Sequence, residues 1–233
     1  MQETPRDVDV WHVDLRQPRD WVEEATALLA PEEVEAAGRG TPEVRRRRVV
    51  RRAALRIALA RRIGGDPGAL RMVPGPHGKP ALADPAHELQ FSSSSSDDCC
   101  LIAVTATSPI GVDVERVVPR TYLERIAETR FAPEEADAIG QLRGQERLRA
   151  FYNCWTRKEA YLKATGAGLT QGLDRVIVSV DDERPAILSL DGDDPAAWSV
   201  VSLDPEPGFT GAVVWRGAPT PIRDAASLDL NDN

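Results

Sequence analysis

The order of the predicted secondary-structure elements is the feature that most constrains the fold of this chain. Within 233 residues, a strand-like segment at 8–15 precedes short helices, a long helix and short strands. A break at Thr107-Ser108-Pro109 separates this series from a second series in the same order. The strict strand–helix alternation of a doubly wound parallel sheet is missing. We therefore predict an α+β fold with two similar subdomains, 1–108 and 109–216, followed by a polar loop or disordered tail over 217–233.

Two long helical segments define the halves. The first covers 39–62 and ends at Gly64-Gly65, and the second covers 147–165 and ends at Gly166. In the first half, 89–92 and 99–105 are predicted strands joined by a turn rich in serine and aspartate.

The charge distribution indicates a local anionic ligand. The formal net charge is -8, which argues against a general nucleic-acid binder, yet residues 39–62 contain ten arginines and one acid, Glu43. Like charges spaced i, i+4 on a helix repel unless a counter-charge neutralises them. We therefore expect at least two of these arginines to contact a phosphate or an acidic partner. A solvated helix face is the alternative for most of the others.

The cysteines and histidines predict no metal site. The chain has three of each, the cysteine spacings are not those of a zinc site, and the histidines are scattered. No segment approaches the ~18 apolar residues of a membrane span, and the N-terminal residues lack a basic segment followed by an apolar one. We expect a cytoplasmic protein without a membrane partner.

The segment Ile110-Gly111-Val112-Asp113-Val114-Glu115 is the first candidate for chemistry. Side chains alternate between faces along a strand, so Asp113 and Glu115 share the face opposite the apolar residues. Two carboxylates at this spacing suit one hard cation such as Mg²⁺, which keeps waters and substrate phosphates in its shell. The alternative is the solvated face of an amphipathic strand.

The helical segment 155–163 is the second candidate. Trp155, Glu159 and Lys163 are successive i, i+4 neighbours on one face. Glu159 suits a third metal ligand or a general base, and Lys163 suits a phosphate contact. An ordinary Glu–Lys helix pair beside a packed tryptophan is the alternative.

Two turn-like segments add possible anion-binding groups. Lys79 lies in Gly78-Lys79-Pro80, where turn amides suit an anion, and the serine run 92–96 offers hydroxyl and backbone donors. A solvated lysine and a flexible turn are the alternatives. With the carboxylates, these groups indicate metal-assisted chemistry on a phosphate ester or anhydride. The sequence contains no Walker loop, kinase signature, GxGxxG motif or Gly-x-Ser-x-Gly elbow.

The two main motifs together resemble the signature of the Sfp-type 4'-phosphopantetheinyl transferases. That signature is G-[IV]-D-[IV]-E followed by W-[ST]-x-K-E-[AS]-x-x-K, and residues 111–115 and 155–163 match it without a break. Gly78-Lys79-Pro80, the arginine-rich helix and Gly166-Ala167-Gly168-Leu169 resemble further family features. The resemblance covers about residues 8 to 215.

The resemblance implies a reaction and a set of site residues. Family members move 4'-phosphopantetheine from CoA to a serine hydroxyl of an apo acyl or peptidyl carrier protein and release adenosine 3',5'-bisphosphate. Asp113, Glu115 and Glu159 would hold Mg²⁺. Asp113, Glu159 and Lys163 would be catalytic, with Glu159 deprotonating the carrier serine and Lys163 neutralising the pyrophosphate. The implied CoA contacts are Arg47, Arg52, Lys79, Ser94, Ser95, Lys158 and Lys163.

The resemblance also implies an arrangement and partners. The family fold is a pseudo-dimer of two α/β halves, each a small antiparallel sheet packed on a long helix, with CoA in the cleft between them. Segment 130–135 occupies the position where the family docks its carrier. An internally duplicated chain has less need to dimerise, so we expect a monomer with no nucleic-acid partner.

One departure from the family pattern lies in the serine run. The family usually has F-N-x-S-H-[ST], with a histidine that contacts the 3'-phosphate of CoA, where this chain has Phe91-Ser92-Ser93-Ser94-Ser95-Ser96. Ser95, at the histidine position, carries no positive charge. We expect weaker discrimination between CoA and dephospho-CoA, or compensation by a neighbouring arginine.

Two other hypotheses are compatible with the sequence: a CoA-binding paralogue with impaired transfer, and nucleic-acid binding through the arginine-rich helix.

Overall fold

The computed structural model describes residues 8–75, 78–84, 89–106, 108–167, 172–225 and 228. Within these residues the secondary structure is mixed, with six α-helices and several small sheets. The predicted α+β class is confirmed. The helices are α1 (Arg19–Thr26), α2 (Pro31–Ala37), α3 (Pro42–Ile63), α4 (Leu123–Arg130), α5 (Pro133–Gln141) and α6 (Gly144–Thr165). The strands are β1 (Val8–Asp14), β2 (Met72–Pro74), β3 (Pro80–Leu82), β4 (Gln90–Ser96), β5 (Cys99–Thr105), β6 (Ile110–Arg116), β7 (Val176–Val178), β8 (Ile187–Leu190), β9 (Trp198–Leu203), β10 (Phe209–Arg216) and β11 (Ile222–Ala225). None of the described helices has the length and apolar character needed to cross a bilayer.

The first large sheet has the strand order β11-β1-β5-β4. β5 pairs antiparallel with β1 and β4, whereas β11 pairs parallel with β1. Val50 and Ile57 of α3 share one buried cluster with Trp11 and Ile102 of the sheet. Burial of such side chains contributes about 1.5–3 kcal/mol each, so α3 is held against this sheet by its apolar side.

The second large sheet is antiparallel throughout, in the order β6-β10-β9, and helix α6 packs against β6 and β10. The approach of α6 to β6 depends on Gly111. A Cβ atom at this position would lie 1.9 Å from the Ala160 carbonyl oxygen and 2.5 Å from the Ala164 nitrogen. Only glycine permits this spacing, because any side chain would force the helix outward.

Alternate serines of β4 join the two sheets. Ser92, Ser94 and Ser96 each make a side-chain hydrogen bond to a residue of β6. The other face of β4 carries Phe91, which belongs to the α3 cluster. Since side chains alternate along a strand, Ser93 and Ser95 lie on the α3 side.

The arginine-rich helix begins three residues later than predicted. The Thr41 hydroxyl oxygen accepts a hydrogen bond from the Val44 N–H at 3.4 Å, and Pro42 occupies the first helical position. Both residue types are typical of a helix start. Gly64, with a φ of 69°, ends the helix as predicted.

Two predicted loops are strands, and the prediction was wrong for these residues. β4 runs through the serines to Ser96, and the turn that follows contains Asp97 with a φ of 49°. The expected polar tail contains β11, and the Leu228 N–H beyond it donates a hydrogen bond to the His12 carbonyl oxygen. The first sheet is therefore not wholly antiparallel, because a C-terminal segment supplies its outer strand.

Candidate active site

The carboxylates of β6 lie where the strand pattern predicted them. Ile110, Val112 and Val114 are buried in the core between the sheets, so Asp113 and Glu115 face the other way. Asp113 is nevertheless buried, and its Oδ1 accepts a hydrogen bond from the Ser94 hydroxyl at 2.7 Å. The alternative of a solvated strand face is wrong for Asp113.

Helix α6 brings Glu159 and Lys163 to the same place. Lys163 Nζ lies 2.6 Å from Asp113 Oδ1 and 2.7 Å from Ser94 Oγ. These contacts follow from the close crossing at Gly111, which sets the helix directly on β6. The structure therefore brings together Asp113, Glu159 and Lys163, the residues that the family resemblance implies to be catalytic. They come from segments about 50 residues apart in the sequence.

The electrostatics of this cluster show an excess of negative charge. Burial, and then the neighbouring Asp113, raise the pKa of Glu159 to about 7. The same two causes raise the pKa of Glu115. In both cases the charged form is disfavoured because it is desolvated beside another carboxylate. A cation at this place would reverse both effects.

Two buried carboxylate oxygens have no hydrogen-bond partner in the described part of the chain: Asp113 Oδ2 and Glu159 Oε1. Carboxylate oxygens are the ligands that Mg²⁺ prefers, so the donor set of Asp113, Glu115 and Glu159 fits a hard cation. In the described structure, however, no choice of one carboxylate oxygen from each of these three residues puts all three atoms within 4.8 Å of one another. The Lys163 ammonium group, bound to Asp113, supplies positive charge in this arrangement.

Lys79 lies at the edge of the cluster. Its ammonium group donates to the carbonyl oxygens of Ile110 and Ala164, at 2.8 and 3.3 Å, and burial lowers its pKa to about 8. It lines a cavity of about 510 Å³ whose wall also contains Arg51, Ser93, Glu159 and Lys163. The predicted lysine is thus a fixed part of the site.

A second cavity, of about 310 Å³, shares Arg51, Gly78 and Ser93 with the first and adds Arg52. Arg52 Nη1 is buried without a hydrogen-bond partner among the described residues, and burial beside Arg51 lowers its pKa. The resemblance implied a CoA contact for Arg52 but for neither Arg51 nor Ser93, which the sequence offered only as members of the arginine-rich helix and the serine run. A helical wheel of α3 combined with the alternation of β4 would have found both.

Three other residues that were predicted to contact CoA either bind other protein groups or lie outside both cavities. Arg47 donates two hydrogen bonds to the Asp98 carboxylate, at 2.8 and 3.1 Å, and forms a salt bridge with Glu43 at 3.0 Å. Ser94 is used by Asp113 and Lys163. Ser95 is exposed on the α3 side of β4 and lines neither cavity.

Lys158 does not reach the cleft, and the structure contradicts the prediction that this residue contacts a phosphate. Its side chain is 0% exposed and pairs with Glu135 at 2.6 Å, while its ammonium group also donates to the carbonyl oxygens of Leu173 and Val176. Residues one apart on a helix point in different directions. Glu159 therefore faces the cleft while Lys158 faces the core.

The predicted docking segment 130–135 is partly inaccessible. Phe131 and Glu135 are buried, so only Arg130, Pro133 and Glu134 present exposed side chains there. The family-like segment after α6 begins with Gly166, which ends the helix with a φ of 71°. Gly168-Leu169 of that segment lie outside the described residues.

Comparisons with known proteins decide the family. A sequence model of the ACPS family, the 4'-phosphopantetheinyl transferase superfamily, matches residues 109–214. The chain is also similar to the 4'-phosphopantetheinyl transferase HetI of Nostoc sp., with 34% identity over 214 residues, 91% of this chain and 88% of that relative. The chain belongs to the 4'-phosphopantetheinyl transferase family. It is accordingly an enzyme of the transferase class.

Further relatives give the same family. A putative 4'-phosphopantetheinyl transferase of Synechocystis sp. is 39% identical over 153 residues, 65% of this chain and 62% of that relative. A 4'-phosphopantetheinyl transferase of Bacillus subtilis is 30% identical over 154 residues, 65% of this chain and 66% of that relative. The resemblance stated from the two motifs is thereby confirmed at the level of the family.

Proposed function

We propose that this transferase is of the Sfp type and moves 4'-phosphopantetheine from CoA to the serine hydroxyl of an apo acyl or peptidyl carrier protein. The observation that carries the proposal is the meeting of Asp113, Glu159 and Lys163 beside a cavity lined by Arg51 and Lys79. Carboxylates and cations side by side suit a reaction in which a proton is removed and an anionic leaving group departs.

Glu159 is the proposed general base. The pKa of about 7 belongs to the metal-free site, and a bound cation would lower it, so the role is inferred from the position of Glu159 beside Lys163 in the cavity wall. Its Oε1 has no hydrogen-bond partner among the described residues, which supports the assignment of this atom as the proton acceptor. The serine oxygen then forms a bond to the β-phosphorus of CoA, and the bond from that phosphorus to the bridging oxygen breaks. Adenosine 3',5'-bisphosphate leaves with the electron pair.

Asp113, Glu115 and Glu159 are the residues proposed to hold Mg²⁺. The bound cation would neutralise charge on the pyrophosphate and hold it for attack. Lys163 stands beside Asp113 and is proposed to stabilise the negative charge that grows on the leaving phosphate. Ser94 fixes Asp113 and Lys163 relative to each other through two short hydrogen bonds.

The CoA phosphates are proposed to lie along the two adjoining cavities. Lys79 and Arg51 line the first, and Arg51 and Arg52 line the second, where Ser93 adds a hydroxyl group. Arg52 Nη1 is buried and has no hydrogen-bond partner among the described residues, which supports a role for Arg52 in place of the missing histidine. Arg47 and Ser95 line neither of these cavities, so the geometry does not support a CoA contact for them. Lys158 is left out because it is enclosed in the core.

The pseudo-dimer arrangement is part of the same proposal. In the first half, 1–108, the long helix packs on the first sheet, to which β11 from beyond residue 216 adds an outer strand. In the second half, 109–216, another long helix packs on the second sheet. The proposed substrate cavity is lined from both halves, by Arg51 and Lys79 on one side and by Glu159 and Lys163 on the other. We expect a monomer, with the carrier approaching near exposed Arg130 and Glu134.

Intact-protein mass spectrometry of apo carrier proteins tests the function. Acyl and peptidyl carriers are incubated with the enzyme, CoA and Mg²⁺, and a gain of one phosphopantetheine group is expected. Glu159→Gln keeps the shape of the side chain but removes the base and should lower the rate by about 100-fold or more. Glu146→Gln, on an exposed turn of the same helix, is the matched control. No mass gain on any carrier by folded enzyme would contradict the proposal.

A further inference from the structure

Three metal-ligand side chains from distant parts of the chain meet away from the candidate active site. They are His12 of β1, Cys99 of β5 and Glu206 in the turn between β9 and β10. One ligand atom from each lies within 4.8 Å of the other two. Among the described residues, no other set of three histidine, cysteine or acidic side chains reaches this spacing.

The backbone explains why these side chains converge. β1 and β5 pair antiparallel, with Asp14 opposite Cys99 and His12 opposite Leu101. His12 and Cys99 are therefore diagonal neighbours on one face of the sheet. That face packs against the second sheet, because Cys99 and Leu101 share a buried cluster with Val213 of β10. The turn that carries Glu206 leads directly into β10.

The turn is itself ordered by a hydrogen bond. The carbonyl oxygen of Glu206 accepts the Phe209 N–H at 3.1 Å, which fixes the backbone just before β10. The three ligand atoms thus stand on two sheets and a fixed turn. An ion held there would join β1 and β5 of the first sheet to the β9–β10 turn of the second.

A second observation points to a missing partner. His12 Nε2 is buried and has no hydrogen-bond partner among the described residues. Leaving such a nitrogen unpaired inside a protein is unfavourable. Neutral imidazole is a common metal ligand, and coordination through Nε2 would satisfy this atom.

The charge around the cluster is mixed. Glu206 Oε2 lies 3.6 Å from Arg16 Nη2 in a long salt bridge, and Arg16 is also paired with Asp14 at 2.8 Å. A bound ion would therefore compete with Arg16 for the Glu206 carboxylate.

We propose that His12, Cys99 and Glu206 form a binding site for a divalent transition metal of the Zn²⁺ class, with a water in the fourth position. Cysteine and histidine select such ions over Mg²⁺, whereas the all-carboxylate set of the candidate active site favours Mg²⁺. On binding, Cys99 loses its proton to solvent and its sulfur coordinates the ion as a thiolate. The site clamps the two sheets together and takes no part in the transfer reaction.

Cobalt titration of the full chain tests the site. Co²⁺ is added to reduced protein in excess Mg²⁺, so that the carboxylates of the candidate active site are occupied. We expect one equivalent to give a thiolate-to-cobalt charge-transfer band together with the intense visible bands of a four-coordinate ion. The band identifies the site because the candidate active site contains no thiol. Cys99→Ser should abolish it, whereas Cys100→Ser, a buried neighbour on the opposite face, should retain it.

Glu206→Gln gives a second, milder test. Glu206 lies in a partly exposed turn, so this variant is expected to fold, which circular dichroism checks. It should weaken cobalt binding by about 10- to 100-fold. It should also remove the rise in melting temperature that Zn²⁺ gives the parent protein.

The proposal is overturned by any of three results. These are no thiolate band at one equivalent of Co²⁺ in the parent protein, an unchanged band in folded Cys99→Ser, or unchanged cobalt affinity in Glu206→Gln. If Cys99→Ser fails to fold, the Glu206→Gln titration decides. None of these readouts uses transferase activity, so the outcome is independent of the function proposed above.

Discussion

Glu159 shows how a single residue is changed by its neighbours. A carboxylate on an ordinary helix face would be ionised well below neutral pH. Here burial and Asp113 raise its pKa to about 7. In the absence of a cation the site therefore takes up a proton, and a bound cation would compete with that proton.

The stability of the metal-free protein should depend on pH through this residue. Between about pH 4.5 and pH 7 the folded state binds a proton at Glu159 that the unfolded state releases, so the free energy of unfolding falls as pH rises through this window. We expect a decrease on the order of 2 kcal/mol, measured by urea unfolding in a chelator at about pH 5 and about pH 7.5.

The contributions of other acids can be separated from this effect. Asp14 and Asp98 have lowered pKa values, so their contributions change only below the window. The raised pKa of Glu115 acts in the same direction as that of Glu159. Glu159→Gln should flatten most of the slope and Glu146→Gln should not. Equal slopes in the parent and Glu159→Gln would show that the assignment is wrong.

Arg52 is the residue expected to replace the histidine that the serine run lacks. Its Nη1 is buried, has no partner in the described part of the chain, and lies beside the cavity that contains Ser93. If it binds the 3'-phosphate, the parent enzyme prefers CoA to dephospho-CoA, and Arg52→Gln lowers kcat/KM for CoA by about 10- to 100-fold with little change for dephospho-CoA. Arg45→Gln, exposed on the same helix, is the control. An equal loss for both substrates would contradict the assignment.

The crossing of α6 over β6 is the element on which the site depends. Its closeness comes from Gly111, where an added Cβ would meet backbone atoms that cannot rotate away. The strand pattern placed Asp113 and Glu115 on one face, and the helical spacing placed Glu159 and Lys163 on another. Only the packing of these two elements makes them one cluster.

Gly111→Ala should therefore damage both stability and activity. The helix must move outward, which costs about 1–3 kcal/mol of unfolding free energy or more and separates Lys163 from Asp113. Gly140→Ala is the matched control, since a Cβ on Gly140 of α5 meets nothing within 4 Å and alanine favours the helix. Urea unfolding and carrier modification measure the two effects. Unchanged stability and activity in the Gly111→Ala variant would contradict the proposed role of the close crossing.

The C-terminal segment acts at the scale of the whole molecule. β11 pairs parallel with β1, and Leu228 is buried in the cluster that packs α3 against the first sheet. The last described residues thus complete the sheet that the first described strand begins. This edge of β1 would otherwise expose unpaired backbone groups.

Truncation after Arg216 should lower the melting temperature. Loss of Leu228 alone removes about 1.5–3 kcal/mol of burial, and each kcal/mol corresponds to about 2–4 °C in a chain of this size. Truncation after Leu228 keeps β11 and should leave the melting temperature nearly unchanged. Both are measured by differential scanning calorimetry. Equal melting temperatures for the two truncations would show that β11 contributes nothing.

The sequence by itself determined much of the local structure and the family. The sequence pattern predicted all six described helices to within three residues at each end, and the two motifs predicted the carboxylates, Glu159 and Lys163. These features are local, because strand alternation and helix spacing follow from backbone geometry alone. The same reasoning misplaced the serine strand, because serine is common in turns, whereas β4 pairs with β5 through its backbone and its alternate serine hydroxyls bond to β6.

The tertiary structure alone decided which side chains face one another. It placed Lys158 in the core with Glu135, although it lies next to Glu159 in the sequence. It also brought together His12, Cys99 and Glu206, whose spacing along the chain resembles no metal motif. The physical reason is the same in both cases. Burial and pairing depend on how sheets and helices pack, and contacts between residues far apart in sequence leave no local pattern to detect.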